Sequence, residues 1–340
     1  MKAYRAFLLT AVLVVLGAST MTLTAQIVPS HAKLNKLFSG GMVLTEGVAV
    51  APDGQVYFSD ITFTHAAGPD GVEAGHIWHY DPYTGETRIF RSPSGMSNGI
   101  KFDANGDMLV AEGADYGGQR IIRTDMKTGK SYILAGLYDG HPFNSCNDIS
   151  IDEKGRIYFT DPRYAGHEPM DQPIMGVYRI DTDGSIHRII TDAGKPNGVA
   201  VSPDQKTLYV VSHDNGTTSA SRLVENAPLQ KGRMALLAYD LHEDGSATFR
   251  KLLVDYGVED GPDGLVCDVK GNIYIAERSL KRLGIAVRDP DGKELGFIPT
   301  EIPTNVGFGR GDDSNLLYIT AGKSLCSIRL NAIGYHLPPR

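Results

Sequence analysis

The chain has 340 residues, a formal net charge of −7, 39 glycines and only three cysteines. Its acidic balance, with no basic stripe, gives nucleic acid no electrostatic footprint to bind. An odd and low cysteine count excludes a disulfide framework, while the length admits either two average domains or one large closed β fold.

The first 25 residues stand apart. Met1-Lys-Ala-Tyr-Arg5 is positively charged, an apolar run reaches Ala18, and small residues lead to Leu23-Thr24-Ala25. This is the pattern of a secretory signal, with cleavage expected after Ala25. The apolar run is short for a bilayer span. An exported protein, periplasmic or secreted and free of the membrane once cleaved, is therefore expected.

Six stretches then say nearly the same thing. Glu46-Gly-Val-Ala-Val leads through a turn to Gln55-Val-Tyr-Phe-Ser-Asp60, and Asn98-Gly-Ile-Lys-Phe leads to Asp107-Met-Leu-Val-Ala-Glu112. Asn147-Asp-Ile-Ser-Ile precedes Arg156-Ile-Tyr-Phe-Thr-Asp161, and Asn197-Gly-Val-Ala-Val precedes Thr207-Leu-Tyr-Val-Val-Ser212. Asp263-Gly-Leu-Val-Cys and Asn305-Val-Gly-Phe-Gly open the last two, which close on Asn272-Ile-Tyr-Ile-Ala-Glu277 and Leu316-Leu-Tyr-Ile-Thr-Ala321. Each reads as a β-hairpin. The opening residues are 52, 49, 50, 66 and 42 positions apart, a period that marks repeats.

A second polar turn follows in most periods, as at Asp81-Pro-Tyr-Thr-Gly85 and Asp289-Pro-Asp-Gly292. Asp181-Thr-Asp-Gly184 opens like a calcium loop but lacks the later ligands and is read as a turn. Four strands in each of six repeats predict an all-β, six-bladed β-propeller over residues 33–330 with a C-terminal tail at 331–340. The last repeat lacks a fourth strand, whereas Lys33-Leu-Asn-Lys-Leu-Phe38 precedes Glu46 as a spare one. The N-terminal strand is thus expected to close the last blade. The long links between second and third strands, 61–76, 114–119, 163–173 and 214–233, should share one face with the repeat openers.

The openers Glu46, Asn98, Asn147, Asn197, Asp263 and Asn305 all offer oxygen, and two are carboxylates. Taken singly each could be a turn former. Six aligned copies around a propeller channel instead suggest a hard-cation site. His76 and His79 on one strand would face opposite ways. His65, His141, His167 and His213 are read as loop residues. Cys146 is read as a steric neighbour of the site, Cys267 and Cys326 as buried small hydrophobes.

Thr45-Glu46-Gly47, Ser97-Asn98-Gly99, Asn144-Ser-Cys-Asn147-Asp148 with Tyr158-Phe-Thr-Asp-Pro162, Pro196-Asn197-Gly198, Pro262-Asp263-Gly264 and Pro303-Thr-Asn305 carry a resemblance. The chain resembles the family of senescence marker protein, gluconolactonase and luciferin-regenerating enzyme, in particular its bacterial gluconolactonase-like members. The resemblance implies one divalent cation, Ca²⁺ first and Mg²⁺, Mn²⁺ or Zn²⁺ as alternatives, held by Glu46, Asn147, Asn197 and Asp263. It also implies that Asp263 moves a proton. Ser145 stands where some members carry a lactone-holding Arg, and Cys146 where many carry Pro.

The expected function is a metal-dependent hydrolase opening a lactone, in the sugar class, with a small molecule as its partner. Asn98, Asp148 and Arg163 are the further candidates for orienting substrate. Two alternatives are a phosphotriesterase-like hydrolase on the same cation, and a non-catalytic propeller with a structural ion that binds a partner or carbohydrate.

Overall fold

The structure, a computed structural model, describes residues 26–62, 74–218 and 230–338. The expected leader at 1–25 and the loop position His65 lie outside the described residues. Six four-stranded antiparallel sheets follow one another around an axis, as expected of a propeller. Their innermost strands are Leu44–Val50, Ser97–Phe102, Ile149–Ile151, Pro196–Val201, Pro262–Cys267 and Pro303–Phe308.

The two inner strands of each blade carry little period-2 alternation because each is covered on both faces by neighbouring blades. Met108–Glu112, Pro196–Val201 and Ile273–Glu277 are buried at every position. The outermost strands turn a face to water, so Thr87–Arg91 and Ala247–Asp255 are mostly exposed or half-buried. Apolar side chains from adjacent blades merge into shared cores. Tyr158, Val177 and Ile190 of the third blade pack with Val199, Leu208 and Leu237 of the fourth.

Ring closure is supplied by the N-terminus. Asn35–Ser39 pairs with Ser324–Arg329 as the outer strand of blade six. Phe38 then reaches blade one, its ring 5.6 Å from Phe58 and 4.9 Å from Trp78. At the axis Thr304 Oγ1 donates to the carbonyl of Thr45 at 2.7 Å across the same seam.

The tail after Arg329 folds back beneath the ring. Gly334 bridges to Asp268, the Tyr335 hydroxyl donates to Glu153 at 2.9 Å, and His336 Nε2 donates to the Gly309 carbonyl at 2.8 Å. Burial, followed by the nearby Arg310 and Lys101, lowers His336 to about 4, which keeps it neutral at pH 7. These residues cap a cavity of about 100 Å³ between the inner strands.

Removing residues 30–40 would strip the outer strand from blade six and leave Ser324–Arg329 as an open edge. Thermal unfolding followed by circular dichroism is expected to drop by at least roughly 5 °C. An unchanged melting curve would mean that closure does not depend on this strand.

Candidate active site

At five of the six openers, all but Asn147, the hairpin ladder slips. Register shifts fall between Glu46 and Val48, Ser97 and Ile100, Pro196 and Val199, Pro262 and Leu265, and Pro303 and Asn305. Such a bulge bends the strand and re-aims its side chains. The following glycine allows the next strand to close in. A Cβ on Gly47 would collide with the carbonyl oxygen of Asn98, and one on Gly198 with that of Asp263. Hydroxyls lock the approach: Ser59 Oγ donates to Asn98 O at 2.7 Å, and Thr160 Oγ1 to Asn197 O at 2.6 Å.

Glu46, Asn98, Asn147, Asn197 and Asp263 thereby line one cavity of about 340 Å³ at the loop-bearing end of the channel. Asn305 does not join them. Its Oδ1 accepts the backbone N–H of Val306 at 2.8 Å and is spent on its own strand. Asn98 keeps Oδ1 buried and without a hydrogen-bond partner. Burial, and after it the charge of Asp263, pushes the Glu46 carboxyl well above its usual range; Arg278 counters this.

The amide of Asn197 has a fixed orientation. Its Nδ2 donates to Tyr164 Oη at 3.2 Å, and that hydroxyl donates to the His213 carbonyl at 3.0 Å. The phenol is a donor to one partner and an acceptor from the other, so Asn197 Oδ1 is turned away from it. Burial first, and Asp263 after it, raise the Tyr164 hydroxyl well above its ordinary value. His213, read from sequence as a loop residue, also reaches the cavity wall; its Nδ1 donates to Pro262 O at 2.8 Å, and burial lowers its pKa.

Two expected substrate contacts sit elsewhere. Arg163 is fully buried, and its guanidinium is bound to the backbone carbonyls of Asn144 at 3.0 Å, Glu168 at 3.2 Å and Pro169 at 3.3 Å. It pins the loop that presents Tyr164. Asp148 lies buried where four of the other repeats have glycine, with Oδ2 accepting the Val199 N–H at 3.1 Å and Oδ1 unpartnered. Burial raises its carboxyl, and the charge of Lys101 opposes that rise. Ser145 and Cys146 do line the cavity. Burial, then the charge of Asp161, pushes the Cys146 thiol well above its usual value, which suits a wall and not a nucleophile.

Sequence reasoning missed Arg278. Its Nη1 donates to Asp263 Oδ2 at 2.6 Å, and its side chain faces the cavity. Arg278 directly follows the second strand of blade five, where Ile61, Gly113, Pro162, His213 and Gly322 occupy the matching positions. The matching positions share no common residue type, so the repeat gave no signal beyond a lone Arg at one of the six.

The family model described as the SMP-30/gluconolactonase/LRE-like region matches residues 44–323. The chain belongs to this family. It is 31% identical over 261 residues to a gluconolactonase from Zymomonas mobilis subsp. mobilis, a match that covers 72% of this chain and 65% of that relative. Among solved structures, a gluconolactonase from Xanthomonas campestris superposes with a TM-score of 0.72 at 25% identity, covering 91% of this chain and 92% of that one. A calcium-binding regucalcin from Agrobacterium tumefaciens shares the fold, with a TM-score of 0.68 at 19% identity over 91% of this chain and 98% of its own.

In this family member, no three His, Cys, Asp or Glu side chains among the described residues group as a metal site by themselves. A cation here would need amide oxygens beside the two acids. The residues fit that demand. Glu46 and Asp263 repel one another in a desolvated cavity, Asn197 turns its amide oxygen away from Tyr164, and Asn147 lines the same wall. Two acids with neutral oxygens form a hard donor set.

Asp161 supports the turn that carries Asn147, accepting the N–H of Asn144 at 2.8 Å and of Ser145 at 2.7 Å. Burial nevertheless pushes its carboxyl up to about 7. Folding raises this pKa, so the group's contribution to stability is fully present below its unfolded value of about 3.9. It is lost as pH rises through 7. Urea unfolding between pH 4.5 and 8 is expected to show wild type losing more stability over this range than Asp161→Asn. Parallel pH profiles would contradict this reading of the turn.

Proposed function

We propose that this family member is a lactonase that opens a sugar lactone to its hydroxy acid. The observation that carries the reading is a desolvated cavity in which carboxylates from two non-adjacent blades, Glu46 and Asp263, meet amide oxygens from the three blades on its other side. The kinship with gluconolactonases supports the same choice of substrate class.

Glu46, Asn147, Asn197 and Asp263 are the residues that would hold a divalent cation, calcium first. When bound, such an ion supplies Lewis-acid polarisation of the ring carbonyl. Asp263 has one carboxylate oxygen held by Arg278. Its Oδ1 is the group that takes a proton from the attacking water as the new C–O bond forms. The same oxygen returns that proton to the ring oxygen as the acyl C–O bond breaks. Asn98, whose side chain lines the cavity, offers its amide to a substrate hydroxyl. Tyr164 holds Asn197 in register. Cys146, Met96 and Ala114 supply apolar wall that limits water around the reacting ester. Export through the leader at 1–25 belongs to the same proposal and would show as a mature chain beginning at Gln26.

Purified protein should hydrolyse glucono-1,5-lactone in a pH-stat, with activity lost to a chelator and restored by calcium or manganese. Asp263→Asn is expected to lower kcat/KM by about 100-fold or more. Glu46→Gln should weaken cation binding in calorimetry. A metal-independent rate, or full activity in Asp263→Asn, would end the proposal.

A further inference from the structure

Arg278 holds Asp263 through one N–H, as Arg120 holds Glu112 and Arg156 holds Asp152. An arginine committed to a carboxylate commonly presents two parallel N–H groups to its two oxygens. Two others here do so. Arg282 reaches Glu294 through Nη1 at 2.9 Å and Nη2 at 2.7 Å, and Arg179 reaches Asp181 through Nε at 2.6 Å and Nη2 at 2.7 Å. Arg278 donates to Asp263 through Nη1 alone, at 2.6 Å. The side-on edge of its guanidinium, Nε and Nη2, has no hydrogen-bond acceptor among the described residues. Neither nitrogen is sealed from solvent without a partner. The side chain is 27% exposed and lines the cavity, where it is the sole Lys or Arg among the described residues.

This free edge has the donor spacing of a carboxylate receptor. The acids that compete for it are Glu46, whose charge acts on Arg278 after that of Asp263, and Asp260, which also lines the cavity but is paired with Lys231 at 2.5 Å. We infer that Arg278 is a specificity-determining residue that binds a free carboxylate of the substrate, which makes the preferred substrate the lactone of a sugar diacid. The inference rests on the lactonase reading. It also fixes where the acid group sits. Asp263 returns its proton to the ring oxygen, so Arg278 beside it faces the alcohol side of the ester. The free carboxylate belongs on the carbon chain attached there, as in a hexaro-1,4-lactone. A neutral sugar lactone offers that edge only hydroxyls.

The test compares D-glucaro-1,4-lactone with glucono-1,5-lactone on wild type, Arg278→Lys and Arg278→Gln, each loaded with calcium. Wild type is expected to favour the acidic lactone by about tenfold or more in kcat/KM, through KM. Arg278→Lys should keep part of this preference, having the charge without the fork, and Arg278→Gln should abolish it. A role confined to holding Asp263 would lower both substrates by the same factor. Equal losses, or no preference in wild type, would overturn the inference. Calorimetric binding of glucarate against gluconate reads the same edge without turnover. If no lactone is hydrolysed while glucarate still binds more tightly in an Arg278-dependent way, the lactonase reading fails and the carboxylate site stands. If glucarate gains nothing from Arg278, the carboxylate site fails.

Discussion

The distance of closest approach between inner strands at the axis controls the rest of the molecule. Six strands can only bring their openers to one channel if backbone meets backbone there, which in four blades is what the glycine after the opener permits. A side chain at Gly47 or Gly198 would collide with the opener carbonyl of the next blade. Gly99 turns the same proximity into a bond, its N–H donating to Asn147 O at 2.7 Å. The hydroxyls of Ser59, Thr160 and Thr304 consume carbonyls that the bulges leave outside the ladder. The recurring Asn-Gly and Asp-Gly pairs therefore serve ring contact, although the same dipeptides elsewhere make hairpin turns.

That ring explains how the site differs from the repeat. Glu46 and Asp263 belong to blades one and five, with blade six between them. Asn305 of blade six has its amide oxygen bonded to its own backbone, so it separates the acids without joining them. Opposing charges are then unevenly placed. Arg278 stands against the two acids at the loop end, while Asp148 lies deeper with Lys101 as its compensating charge. A buried carboxylate with one unpartnered oxygen is costly unless something answers it. The channel spaces its acids and cations along the axis accordingly.

Much of this was legible in the sequence, because repetition turns six weak signals into one strong one. Blade number, the strand borrowed from Asn35–Ser39 and the shared cavity of five openers all follow from aligned positions. What sequence could not supply was side-chain direction in the irregular links. Arg163 and Tyr164 are neighbours in a loop of the correct face, yet one points into backbone carbonyls and the other into the site. A long cation in a loop reads as a substrate contact, but a guanidinium has donors enough to hold a loop together. Arg278 was overlooked for the opposite reason. It follows a strand whose counterparts end on small or unlike residues, and only its partner Asp263 reveals its place.

Support for the openers also passes between blades. Asn197 belongs to blade four but is oriented by Tyr164 from the loop of blade three. Tyr164 is in turn covered by Lys195, whose Nζ lies 4.9 Å from the ring centroid and which also bonds Asn215 Oδ1 at 3.1 Å and Thr217 O. A fully packed Lys making three such contacts ties the loops of blades three and four into one rigid wall. The donor set near Asn197 is thus held by packing, whereas the wall that selects substrate can change by substitution at a single post-strand position. A propeller can keep its ring of oxygens while its loops alter which ester is admitted.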